Sequence, residues 1–111
     1  MHQDACETEA LYSCLGGDPD LGEIVEMFVE EMPDRVARLR EQVASQQWEG
    51  LRRTAHQLKG AAGSYGFDQI TPYAARLEEA LREDFPESRI REAVDVLAAT
   101  CNRIRVGTPG H

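Results

Sequence analysis

Apolar residues in this chain recur every three to four positions over long stretches, and nowhere do they alternate. One stripe reads Leu21, Ile24, Val25, Phe28, Met32, Val36, Leu39, Val43. A second reads Leu51, Ala55, Leu58, Ala62, Tyr65, and a third Ile70, Tyr73, Ala74, Leu77, Leu81. The last is Ile90, Val94, Leu97, Ala98, Cys101, Ile104. This is the period of α-helices that each bury one face. Proline removes a backbone donor and clashes one turn back, yet the first stripe keeps its phase across Pro33. One kinked helix, or two nearly collinear ones, is expected there.

The punctuation agrees with that reading. Ser45-Gln46-Gln47 and Phe85-Pro86-Glu87-Ser88 separate stripes, and Trp48 is placed to plug one end. Pro72 falls in a first helical turn, where a missing N–H costs little. Gly66 suits a left-handed helix end. The expected helices cover about 47–65, 68–84 and on to about 104. A short helix is expected over about 5–15, then a turn over 16–20 with Asp18 or Asp20 as N-cap. The fold class is all-α: an antiparallel four-helix bundle with a short extra N-terminal helix. At 111 residues the chain is one domain, read as 1–106 with 107–111 a flexible C-terminal tail. The start lacks linker-like sequence, which favours a free-standing protein over a fragment of a larger one.

Charge narrows the functions. The formal net charge is −8. Residues 1–34 hold ten acidic and no basic side chains. No broad basic stripe exists, so nucleic-acid binding is excluded. The three cysteines, Cys6, Cys14 and Cys101, have no C-x-x-C spacing, which speaks against a disulfide framework and a zinc site and for a reducing cytoplasm. Met1-His2-Gln3-Asp4 lacks the basic and apolar regions of a signal peptide, and no apolar run is long enough to be expected to span a membrane.

The chemistry concentrates around His56. Lys59 is the sole lysine among twelve basic residues. With successive helical residues rotated by about 100°, Lys59, Gly60 and Gly63 fall within about 60° of His56, as do Glu49, Arg52 and Arg53. The stripe Leu51, Ala55, Leu58, Ala62, Tyr65 lies opposite, so His56 points away from the core. Each helical glycine costs roughly 1 kcal/mol relative to alanine. Gly60 and Gly63 pay that on an outward face, where close helix packing does not explain them. A partner approaching the backbone does.

Neutral imidazole is a nucleophile near pH 7 and can take a phosphoryl group on a ring nitrogen. Transfer then needs in-line positioning and charge neutralisation. Lys59, one turn away, supplies a mobile positive charge; Arg52 and Arg53 add longer-range attraction or are ordinary solvated charges. No second catalytic group, Ser-His-Asp arrangement or paired carboxylate is evident near His56. There is no G-x-x-x-x-G-K-[ST] loop for ATP. His2 and His111 lie at opposite ends, so no metal site and no cofactor is expected. A group that accepts phosphoryl without a donor site must receive it from another protein.

The segment His56-Gln57-Leu58-Lys59-Gly60-Ala61-Ala62-Gly63-Ser64-Tyr65-Gly66-Phe67 resembles the H-x-L-K-G-x-x-x-x-x-G motif of histidine-containing phosphotransfer (HPt) domains. The likeness extends to Glu31-Met32-Pro33-Asp34-Arg35 and Trp48-Glu49-Gly50-Leu51-Arg52-Arg53, and covers roughly residues 20–104. It implies a four-helix bundle with His56 exposed mid-helix. It implies that His56 takes phosphoryl from a receiver-domain aspartate and gives it to another, without catalytic turnover of its own. Lys59 then steadies the phosphate, Gly60 leaves room for the receiver, Gly66 shapes the following turn, and Arg82 faces the phosphate from the neighbouring helix. Gln47 departs from the Asp or Asn common at that position, which touches only capping. Partners implied are response-regulator receiver domains and a sensor or hybrid histidine kinase. Two alternatives stay open: a phospho-accepting domain loaded by a separate chemotaxis-type kinase domain, and a helical adaptor that is never phosphorylated. A monomer is expected, since every strong apolar stripe has a place in the bundle.

Overall fold

The computed structural model describes residues 9–107. The order of elements is β1 (Leu11–Tyr12), α1 (Gly22–Ala44), α2 (Trp48–Ser64), α3 (Thr71–Arg82), α4 (Glu87–Cys101) and β2 (Ile104–Arg105). Each helix packs on the next, and α1 also packs on α4, so the four surround one core. Phe28 of α1 stacks on Tyr65 and Phe67, with ring centroids 4.9 and 5.7 Å apart. Leu39, Leu51, Leu58, Ile70, Leu77 and Leu97 fill the interior between them.

Pro33 lies inside the continuous helix α1 on an exposed position. The missing donor therefore faces water, and the buried stripe Val25, Phe28, Met32, Val36, Leu39, Val43 passes it without interruption. Ile24, expected in that stripe, is instead 42% exposed. It sits at the edge of the apolar arc, where the core already holds Val25 and Phe28. Tyr65 and Tyr73 are half-buried against the core, as is Trp48. Phe67 is fully buried although it belongs to no helical stripe.

Three helices end in one hydrogen-bond pattern. After α2, the Phe67 N–H donates to the Ala62 carbonyl (2.8 Å) and the Gly66 N–H to the Gly63 carbonyl (3.2 Å), with Gly66 at φ 83°. This is a Schellman end, which needs a left-handed residue. After α1 the pattern runs Gln47 to Gln42 and Gln46 to Val43, and after α3 Phe85 to Ala80 and Asp84 to Leu81. There Gln46 and Asp84 hold φ 57° without being glycine, a conformation costly for a side-chain-bearing residue.

The expected N-terminal helix is not found over residues 9–15; its start, residues 5–8, lies outside the described residues, as do 108–111 of the tail. The segment is a strap. Leu11 and Tyr12 pair in parallel with Ile104 and Arg105. The Ser13 hydroxyl donates to the Tyr65 carbonyl (2.6 Å) and accepts from the Leu15 N–H (2.9 Å), and the Cys14 N–H donates to the Gly66 carbonyl (3.0 Å). Those bonds to distant backbone replace the ones a helix would make within itself. A Cβ at Gly66 would meet the Ser13 hydroxyl, so glycine is required there twice over. Asp18 accepts from the Asp20 and Leu21 N–H groups, which closes the turn before α1. The last helix stops at Cys101, and Ile104 reaches the core from β2. Cys14 and Cys101 are free thiols; burial pushes Cys101 up to about 12. No helix among the described residues is long and apolar enough to cross a membrane.

Candidate functional site

His56 stands in the third turn of α2 with its side chain 65% exposed. The core residues Ala55 and Leu58 fix its direction by occupying the opposite face. Beside it, a Cβ built on Gly60 touches nothing within 4 Å, and one on Gly63 reaches only the Thr71 hydroxyl at 4.0 Å. Neither glycine is there to let a neighbouring element of this chain come close. The surface next to the histidine is bare backbone.

The centre of the site is a residue absent from the sequence reading. Glu78 of α3 is 4% exposed, and it gathers three cation-forming side chains. The His56 ring contacts its Oε2 through Nδ1 at 2.9 Å. The Lys59 Nζ forms an ion pair with its Oε1 at 2.8 Å, and the Arg82 guanidinium one with Oε2 at 3.2 Å. The Lys59 ammonium holds the Glu78 carboxyl below its ordinary range; burial pushes the other way, and the His56 contact adds to the lowering. An ionised carboxylate can only accept, so the proton in the His56–Glu78 bond belongs to Nδ1. Nε2 is then the ring nitrogen outside this contact, on a side chain that is 65% exposed.

The expected residues divide accordingly. His56, Lys59 and Arg82 are brought together by Glu78. Lys59 is anchored, not mobile as its length suggested. Gly60 and Gly63 flank the histidine on the open side. Arg52 pairs with Glu49 at 2.6 Å along α2 and stays out of the cluster. Arg53 is exposed and takes no part in it. One signal for Glu78 was present in the sequence. It sits four residues after Ala74 and three before Leu81, inside the buried stripe of α3, where an unpaired carboxylate would be costly.

The one carboxylate of Glu78 meets two cations, Lys59 and Arg82, so these three side chains leave one positive charge in excess beside the His56 ring. That suits a nucleophile that receives a dianionic group. No group of three or more His, Cys, Asp or Glu among the described residues could hold a metal ion. A family model described as Hpt domain matches residues 23–106, most of the chain. No curated protein and no solved structure matches it.

Proposed function

The chain belongs to the Hpt domain family, whose members carry phosphoryl groups in two-component signalling, and from that membership we propose that His56 is the phosphorylated residue of a relay carrier. The observation that carries the reading is the hydrogen bond of His56 Nδ1 to Glu78, 2.9 Å long. It engages Nδ1 and leaves Nε2 as the ring nitrogen available to a partner, on a side chain that is 65% exposed.

In the proposed reaction Nε2 attacks the phosphorus of a receiver aspartyl phosphate. The N–P bond forms, the bond from phosphorus to the aspartate oxygen breaks, and the aspartate leaves as a carboxylate. The proton on Nδ1 stays in place, and Glu78 balances the positive charge the ring acquires. Lys59 and Arg82 neutralise the equatorial oxygens. Onward transfer reverses these steps at a second receiver, with neutral imidazole as the leaving group. Gly60 and Gly63 give the receiver its close approach. The helices form an antiparallel bundle of one domain, 1–106, and the free thiols Cys14 and Cys101 suit a cytoplasmic setting.

The test is transfer from a panel of phosphorylated receiver domains to the wild-type chain and to His56→Ala. The expected result is an acid-labile, base-stable label on the wild type alone. Label on the alanine variant overturns the assignment of His56. No label from any receiver, with label from an isolated kinase domain, replaces the relay carrier by a kinase-loaded domain.

A further inference from the structure

We propose that this chain associates head to tail with further copies of itself, the acidic apolar face of α1 seating in the cleft between α3 and α4 of the next copy. Two separate surfaces carry the inference, and it stands apart from phosphoryl transfer.

The first surface is a knob. Ile24 and Met27 are 42% and 54% exposed on successive turns of α1. Around them stand Glu23 and Glu30, both exposed, and Glu31, which pairs with Arg35 at 3.4 Å; no basic residue occurs on α1 before Arg35. The side of α1 that bears Ile24, Met27 and Glu31 is the side that lines the cleft toward α2, with Glu31, Arg35 and Gln57 in its wall.

The second surface is a cleft of about 240 Å³ between α3 and α4. Its floor is lowered by the small side chains Ala80 and Ala93, and Phe85 and Val96 form apolar walls that are 38% and 40% exposed. Arg76 and Arg89 stand at the rim. Each guanidinium lies over an aromatic ring, Tyr73 at 5.2 Å and Phe85 at 5.0 Å, and neither is in an ion pair among the described residues. Glu92 also lines the cleft, which leaves it with one positive charge in excess on a chain of net charge −8.

The match is of both shape and sign. An apolar ridge with a carboxylate fringe meets an apolar groove with a guanidinium fringe. Arg76 and Arg89 sit over apolar rings and have carboxylates to gain. Tyr73, Arg76 and Ala80 lie roughly 140–160° around α3 from Glu78. A copy seated in the cleft therefore lies on the side of α3 turned away from Glu78. The knob belongs to the α1–α2 side of the helix circuit and the cleft to the α3–α4 side, so head-to-tail contact leaves a free knob and a free cleft on each pair, and association continues past the dimer.

Sedimentation velocity of the full chain over a rising concentration series tests this, with Met27→Asp as the knob variant and Phe85→Asp as the cleft variant. Circular dichroism confirms that each folds, and Arg89→Glu serves as a second cleft variant that spares the apolar wall. The wild-type mass should climb above the 12.4 kDa of one copy, and added salt should reverse the climb. Each variant alone should stay at one copy. An equimolar mixture of Met27→Asp and Phe85→Asp retains one intact knob and one intact cleft, and should stop at two copies. A wild type that remains a monomer throughout overturns the proposal. So does a variant that still associates, or a mixture that does not pair.

Discussion

Lys59 Nζ lies 2.8 Å from Glu78 Oε1, so the chain's single lysine is tied to a carboxylate that is 4% exposed. The same carboxylate orients His56 and holds Arg82. One buried charge thus sets the position of the nucleophile and of both cations beside it.

Glu78→Gln should slow phosphoryl acceptance by about tenfold, equivalent to about 1.4 kcal/mol of barrier. A neutral amide balances the ring charge poorly, and its oxygen and nitrogen no longer demand the proton on Nδ1. Stability should fall by about 1–2 kcal/mol, from the loss of charge-assisted hydrogen bonds. Nitrogen NMR of the His56 ring beside transfer kinetics checks both parts. A variant with the same tautomer and the same rate would remove Glu78 from the mechanism.

The lowered acidity of Glu78 gives a pH signature. Its folded value lies below the 4.5 of an ordinary glutamate. The stability it contributes is therefore fully present above 4.5 and is lost as pH falls through the lowered value. Urea unfolding of wild type and Glu78→Gln at a series of pH values should show a gap near neutrality that narrows only in the acid range below 4.5. A gap that stays constant down that range contradicts the assignment.

Gly60 separates stability from docking. Nothing lies within 4 Å of a Cβ at that position, so Gly60→Ala should stabilise the isolated chain by about 1 kcal/mol. Gly60→Gln should fold equally well yet lose transfer from a receiver, because the added side chain fills the space the partner needs. Thermal unfolding and transfer assays on both variants decide the matter; undiminished transfer to Gly60→Gln refutes the close approach.

Gln46 holds φ 57° at the end of α1. Gln46→Gly should relieve that conformation and raise stability by about 0.5–1 kcal/mol. The gain is offset in part by the loss of the exposed Gln46–Glu87 hydrogen bond, 3.2 Å long. A drop in the denaturation midpoint would show that this bond outweighs the backbone.

Helical periodicity exposed the four stripes because each repeats over several turns, and the phase across Pro33 was readable for the same reason. His56, Lys59 and Gly60 stood out because lysine is unique here and glycine is costly in a helix. Glu78 stayed hidden since two of its three partners, His56 and Lys59, come from another helix, His56 being 22 residues away, and charge alone marks it as surface. The strap over 9–21 was hidden as well. Its order comes from β2 and the end of α2, both remote in sequence, and Ser13 and Gly66 reveal their contact only in three dimensions. The left-handed conformation of Gln46 and Asp84 was not legible, because glycine is the residue that such helix ends usually select.

The parallel pairing of Leu11–Tyr12 with Ile104–Arg105 bears on how this molecule responds to force. The chain enters the ladder at Leu11 and leaves it beyond Arg105, so tension between the two flanks pulls the strands past one another and loads their bonds in shear. The four helices lie outside that load path until the ladder slips. A tether on either flank would therefore transmit strain across one corner of the molecule while leaving the spacing between α2 and α3, and with it the His56–Glu78 bond, undisturbed.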